Sequence, residues 1–142
     1  MEEKYNTNLA SEFYVMSILY RKGVDAYLTF GNKKGVDILI KNILGNTLKI
    51  EVKGVNSKSN DWPLSSNELI SSKDLFFILI SYESKIHDLT FAPRIWIIPS
   101  AVLKAKCKHS PLKSGKKMSY MSHKVVREKF MEYENNWSLL EK

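Results

Sequence analysis

Apolar and polar positions fall along this chain in blocks, and each block predicts one element. From Asn8 to Arg21, Leu9, Phe13, Met16 and Tyr20 recur at spacings of four, three and four, the period of one helical face. Gly23 follows as the expected stop of that helix. Three β-like runs come next, Asp25 to Phe30, Val36 to Lys41 and Thr47 to Gly54, separated by short segments rich in Gly, Asn and Lys. Such short turns predict an antiparallel meander. Residues 55–74 are polar, with a short helix expected from Ser65 to Ser71. The continuous apolar run Leu75 to Tyr82 reads as a strand buried on both faces at the centre of a sheet. A fifth strand is expected at Ile95–Pro99, then a short helix from Ser100 to Lys106 with Ser100 as its cap. Ser110 to Ser122 reads as loop, and Lys124 to Tyr133 as helix. Trp137, Leu139 and Leu140 are expected to pack back on the core, as is Trp96.

Three charged residues break this pattern. Asp37 sits inside Gly-Val-Asp-Ile-Leu-Ile, and Glu51 and Lys53 sit inside Leu-Lys-Ile-Glu-Val-Lys-Gly. Carboxylates are rare in half-buried strands because desolvating them is costly, so each calls for a partner. Side chains alternate across a strand, which puts Glu51 and Lys53 on one face about 6.5–7 Å apart. With the two strands paired through their turn, Asp37 can lie on that same face. Two carboxylates that close repel unless a cation sits between them. Magnesium or manganese accepts such hard oxygen ligands while keeping several waters, and the Val52 carbonyl is placed by sequence to be a third oxygen. The Lys53 ammonium could orient an attacking water or offset charge on a phosphate. Glu12 stands at the edge of the predicted helical stripe, an odd place for an acid that serves packing alone. A half-exposed sheet with ordinary ion pairs, Asp37 and Glu51 pairing with Lys49 or Lys53, is the competing reading, and the order of helix acid, strand acid and Glu-x-Lys weighs against it.

Composition narrows the setting. With 142 residues, 44% hydrophobic and 26% charged, the chain has the make-up of one globular domain. We expect a single domain over 1–142, with a core at about 8–99 and a basic extension at 100–142. No run approaches the roughly 20 apolar residues of a membrane span, and the N-terminus lacks a signal-like apolar stretch. The single cysteine, Cys107, excludes an internal disulfide and fits a reducing, cytoplasmic setting. The net charge of +7 is uneven. Residues 1–99 carry 12 bases and 11 acids, whereas residues 100–142 carry 10 bases and 4 acids. No Asp or Glu occurs between Thr90 and Arg127. That one-sign stretch favours a polyanion, with Lys113, Lys116 and Lys117 as expected contacts and Lys33, Lys34 and Lys58 lining the other side of a groove. Trp62 is a candidate to stack on a base, or equally a core residue.

On Asp37, Glu51 and Lys53 the chain resembles the PD-(D/E)XK nuclease superfamily, the fold of many restriction endonucleases and Holliday-junction resolvases. That family carries an acid on the second strand and Asp or Glu, any residue, then Lys on the third. Many members add an acid on the first helix, the place of Glu12 here. The motif's leading proline is absent, since Gly35 and Val36 precede Asp37. The resemblance covers roughly Asn8 to Pro99. It implies an α/β fold with an αβββαβ core and a central mixed sheet flanked by helices. It also implies a magnesium- or manganese-dependent endonuclease acting on duplex or branched DNA, with Asp37 and Glu51 binding the metal and Lys53 assisting. A homodimer is compatible with that, since cutting both strands is easiest with two active sites. A catalytically inactive nucleic-acid- or protein-binding module on the same fold stays open as the alternative, as does an RNA-directed nuclease.

Other chemistry is weakly signalled. Cys107 and His109 have no second ligand pair at zinc spacing, and His87 and His123 stand alone. No nucleophile-elbow or phosphate-cradling glycine motif occurs.

Overall fold

The computed structural model describes residues 2–29, 36–64, 71–111 and 117–141. A long helix α1 (Glu2–Arg21) leads into strands β1 (Asp25–Leu28), β2 (Ile38–Lys41) and β3 (Thr47–Val55). These form the expected antiparallel meander. The helix begins six residues earlier than its apolar period suggested and ends as foreseen. Gly23, at φ +73, donates to Tyr20 O, while Val24 N–H donates to Leu19 O, the paired bonds of a Schellman stop. At the β2–β3 turn, Asn42 Oδ1 accepts from the N–H groups of Leu44 and Asn46.

Strand β5 (Leu75–Ser81) is buried along its whole length and pairs in parallel with β3. On its other side β6 (Arg94–Pro99) runs antiparallel, so the five-stranded mixed sheet has the order β1-β2-β3-β5-β6. Its continuous apolar sequence is what a strand with protein on both faces requires. The parallel β3–β5 pairing needs a crossover, and that crossover carries β4 (Trp62–Leu64) out to a second sheet. Most of the helix expected at Ser65–Ser71 lies outside the described residues.

Within the region expected to be loop, Ser110 to Ser122, the described residues are instead largely strand. Strands β7 (Lys108–Pro111) and β8 (Lys117–Met121) pair with each other, and β8 pairs with β4, giving a three-stranded sheet of order β4-β8-β7. Its strand character comes from pairing with a segment some 55 residues earlier, which no local pattern announces. Two helices flank it, α2 (Ser100–Lys106) and α3 (His123–Lys129). The helix expected from Lys124 to Tyr133 breaks at Phe130, which is buried, and resumes as a 3-10 turn at Met131–Tyr133. Ser100 is the first residue of α2 rather than its cap. Its hydroxyl is buried, donating to Ser72 O at 2.8 Å and accepting from Ser72 N–H at 2.9 Å. It ties the helix to the entry of β5.

The main sheet is covered on both faces. On one, Val15, Met16 and Leu19 of α1 meet Ile38, Ile40, Leu48, Ile50, Val52 and Ile78, with Leu140 and the partly buried Trp137 and Leu139 closing the end. On the other, Phe77, Leu79, Trp96 and Ile98 meet Trp62, Leu64 and Met121 of the second sheet and Val126 and Phe130. The buried stripe of α1 keeps Met16 of the expected face but not Phe13 and Tyr20. Phe13 and Tyr20 are 58% and 61% exposed, while Thr7, Ser11, Val15 and Leu19 point inward. Small polar residues occupy the closest approach of helix and sheet.

Candidate active site

The candidate residues gather where β3 runs on past the end of β2. Thr29 N–H donates to Asp37 O at 2.9 Å, which carries the β1–β2 ladder one step beyond β2. Asp37 N–H donates to Ile50 O at 2.9 Å, and Ile50 is also the register partner of Ile38. Two successive residues thus face one, the pattern of a β-bulge, which re-aims the side chain of the extra residue. The Asp37 carboxylate takes the position that a further strand residue would have filled. Its Oδ2 accepts from Val52 N–H at 2.8 Å. An extended residue directs its N–H and C=O to the same neighbour, so the Val52 carbonyl faces the Asp37 side too.

Glu51 and Lys53 flank Val52 and alternate away from the face that holds Leu48, Ile50 and Val52. Glu51 is 3% exposed, and its Oε1 lies 3.1 Å from Lys53 Nζ. Glu12 approaches from α1. Its carboxyl is pushed up to about 7 by partial burial first, then by the negative charge of Asp37 and a hydrogen bond to it; Lys53 pulls the other way. Pairwise links connect the four residues singled out in the sequence: Glu12 senses Asp37 and Lys53, Asp37 holds the backbone of Val52, and Lys53 pairs with Glu51.

The donors on hand are hard oxygens, which suit magnesium or manganese better than a soft metal. Among the described residues, no three His, Cys, Asp or Glu side chains form a cluster able to hold a metal by themselves. The oxygens that could serve are the Asp37 and Glu51 carboxylates and the Val52 carbonyl. Cys107 and His109 do not join a site; His109 Nδ1 shares a hydrogen bond with Ser119 Oγ at 2.7 Å.

Of the residues expected to contact nucleic acid, Lys58 is exposed, 3.9 Å from Glu83 Oε2. Lys117 begins β8, and its side chain lies outside what is described. Lys33, Lys34, Lys113 and Lys116 lie outside the described residues altogether. Trp62 is a correction. It is fully buried, its Nε1–H donates to Ile80 O at 3.2 Å, and its ring stacks on His123 at 4.7 Å. A large apolar ring in a polar stretch signalled an anchor for β4, not a surface for bases. His123 Nε2 shares a hydrogen bond with buried Ser81 Oγ at 2.8 Å, and burial, then Arg127, holds the imidazole below its usual range.

The residues that sequence reasoning missed are those that seat α1. Ser11 Oγ donates to Thr7 O at 2.7 Å and lies 3.1 Å from Tyr82 Oη, against the bare backbone of Gly54. The one signal was Gly54 itself, a glycine inside a strand pattern.

No protein-family model and no curated protein matches this sequence. Among solved structures, the chain shares its fold with an endonuclease. That structure is a bacterial homing endonuclease, I-Ssp6803I, matched over 96% of this chain and 91% of that one at a TM-score of 0.56 and 13% identity. At that identity the likeness is one of fold. No helix among the described residues is long and apolar enough to cross a membrane.

Proposed function

We propose that this chain is a metal-dependent endonuclease that hydrolyses DNA phosphodiester bonds, with Asp37, Glu51 and Lys53 as its active site and Glu12 as an accessory acid. One observation carries the reading. The Asp37 carboxylate is fastened to the backbone between Glu51 and Lys53, beside a Glu12 carboxyl that burial first, and the charge of Asp37 second, lift to about 7. The element order α1-β1-β2-β3 with β5 parallel to β3 supports placing it on the PD-(D/E)XK core. The shared fold with a homing endonuclease supports DNA as the substrate. A homodimer would set two such sites on the two strands.

Asp37, Glu51 and the Val52 carbonyl would hold magnesium or manganese. When bound, that ion supplies a Lewis acid and a water acidified enough to act as a nucleophile. Asp37 keeps its orientation through Val52 N–H. Lys53 neutralises Glu51 at rest and is placed to offset charge building on a phosphoryl oxygen. Glu12, poised near neutrality, can take up or release a proton at the edge of the site.

Plasmid nicking by the purified chain tests this. Cleavage is expected with magnesium or manganese and is expected to stop with a chelator and in Glu51→Ala. Cleavage that survives both would overturn the assignment. Tight DNA binding with no cleavage under any divalent cation would favour the inactive module instead.

A further inference from the structure

The outward face of the small sheet gathers side chains from β7 and β8 in register. Met121 and Ser119 of β8 point into the core with Trp62 and Leu64 of β4. Alternation then turns Tyr120 and Met118 outward. Cross-strand register sets Lys108 and Pro63 on either side of Tyr120, and Ser110 opposite Met118. Lys108 and Ser110 are exposed, Met118 is 41% exposed, and Tyr120 is half-buried. Among the described residues, β4 reaches β8 only through Ser119–Met121, so the Ser110–Met118 and Pro111–Lys117 pairs form a two-stranded ribbon.

Size and charge select the occupant. Two strands stand about 4.8 Å apart, and with side chains a ribbon of this kind fits the roughly 12 Å major groove of B-DNA but not its roughly 6 Å minor groove. Duplex RNA hides its bases in a narrow, deep major groove, so the same ribbon cannot read it. Lys104, Lys106 and Lys108 are exposed next to the ribbon, and no acid stands in sequence between Thr90 and Arg127. The face offers an ammonium, a hydroxyl and a thioether in adjacent rows, the donor and apolar types that distinguish base edges.

We infer that the β7–β8 ribbon is the sequence-reading element of this protein, inserting Lys108, Ser110 and Met118 into the major groove of duplex DNA. The inference rests on the DNA reading above and adds where the bases are read. Lys108 takes a guanine edge or a phosphate, Ser110 bonds a base edge, and Met118 lies against a thymine methyl.

The test uses the full chain carrying Asp37→Asn, which keeps the Val52 contact while abolishing cleavage. Duplexes with a randomised stretch are selected for binding, with and without Ser110→Ala plus Met118→Ala. The preferred sequence is expected to relax at two or three adjacent positions in the ribbon variant. Lys108→Ala is expected to flatten the salt dependence of binding by about one unit of slope. Duplex RNA of equal length is expected to compete at least tenfold less well than DNA. An unchanged preferred sequence, or equal competition by RNA, overturns the ribbon. If the wild-type chain still nicks plasmids in a metal-dependent way, that result leaves the hydrolytic reading standing. If no duplex binds at all, the ribbon falls, and plasmid nicking by the wild-type chain decides the hydrolytic reading by itself.

Discussion

Gly54 of β3 lies directly beneath Ser11 of α1, with no space for a side chain between them. A Cβ on Gly54 would overlap Ser11 Oγ and stand 3.4 Å from the Thr7 carbonyl oxygen. This contact fixes how far along β3 the helix sits, and therefore where Glu12, the next residue, meets Asp37. Gly54→Ala should cost about 1–3 kcal/mol through overpacking. Ser11→Ala in the same chain should recover part of that, because the clash is mainly with the hydroxyl. Urea denaturation of the two single variants and the double variant measures the coupling. Strict additivity would mean that the two residues do not share the constraint.

Asp37 carries a structural duty and a chemical one, and two substitutions separate them. Asp37→Ala leaves the N–H of buried Val52 without its acceptor, a loss of about 1–3 kcal/mol. Asp37→Asn retains an oxygen that can accept that bond but removes the charge. The asparagine variant should keep near wild-type stability and lose cleavage, while the alanine variant loses both. Equal stability of the two variants would show that the Val52 bond contributes little.

What the sequence revealed and what it hid follow from how local each cause is. Asp37, Glu51 and Lys53 were legible because a charge inside a β pattern is an exception visible within six residues, and the short β2–β3 turn fixes the pairing of their two strands. The inward face of α1 was legible only in part. Hydrophobic spacing pointed to Phe13 and Tyr20, whereas the helix buries Thr7 and Ser11, because a close approach to Gly54 admits only small side chains. The β7–β8 hairpin was hidden for a different reason. Its lysines, serines and Pro111 read locally as loop, and its strand identity depends on β4 and on Met121 reaching Trp62 across the chain. Trp62 was ambiguous for the same cause, since only its tertiary partners decide between stacking on a base and stacking on His123.

Glu12 should give stability an unusual pH slope. Its carboxyl is raised from 4.5 to about 7, so between those values the folded chain holds a proton that the unfolded chain has lost. This contribution is therefore fully present below pH 4.5 and falls away as pH rises towards 7. Glu12→Gln removes the titration and should flatten that part of the profile. His123, held below its usual range, acts in the opposite sense, its contribution being lost as pH falls below about 6.5. Urea midpoints between pH 4.5 and 8, for wild type and Glu12→Gln, separate the two. A variant with the same slope as wild type would remove Glu12 from the account.

Trp62 should behave as a core residue. It is enclosed between Trp96, 5.8 Å away edge-on, and the stacked His123. Trp62→Ala should cost about 3–5 kcal/mol. Trp62→Phe, which keeps a ring but loses the bond to Ile80 O, should fold and bind DNA with wild-type affinity. A selective loss of DNA affinity in the folded phenylalanine variant would return the indole to the binding surface.

Lys53 offers the sharpest test, because its two proposed roles respond oppositely to a divalent cation. At rest its ammonium lies 3.1 Å from the Glu51 carboxylate, largely out of water. Lys53→Ala removes the compensating charge from a buried acid, so the metal-free variant should be less stable than wild type. The same change leaves the pocket more negative, so magnesium or manganese should bind at least as tightly as before. A ligand that binds only the folded state stabilises it by an amount that grows with the logarithm of one plus its concentration over Kd, about 2.7 kcal/mol at a hundred times Kd. The melting temperature of Lys53→Ala should therefore rise more steeply with added cation than that of wild type. Cleavage should nonetheless be lost, because no ammonium remains to meet the charge developing on phosphate. Thermal melts across a manganese series, read beside plasmid nicking by the same preparations, distinguish the outcomes. A variant that still cuts would make Lys53 a structural counter-ion only. A variant whose melting ignores the metal would show that Glu51 and Asp37 do not hold one.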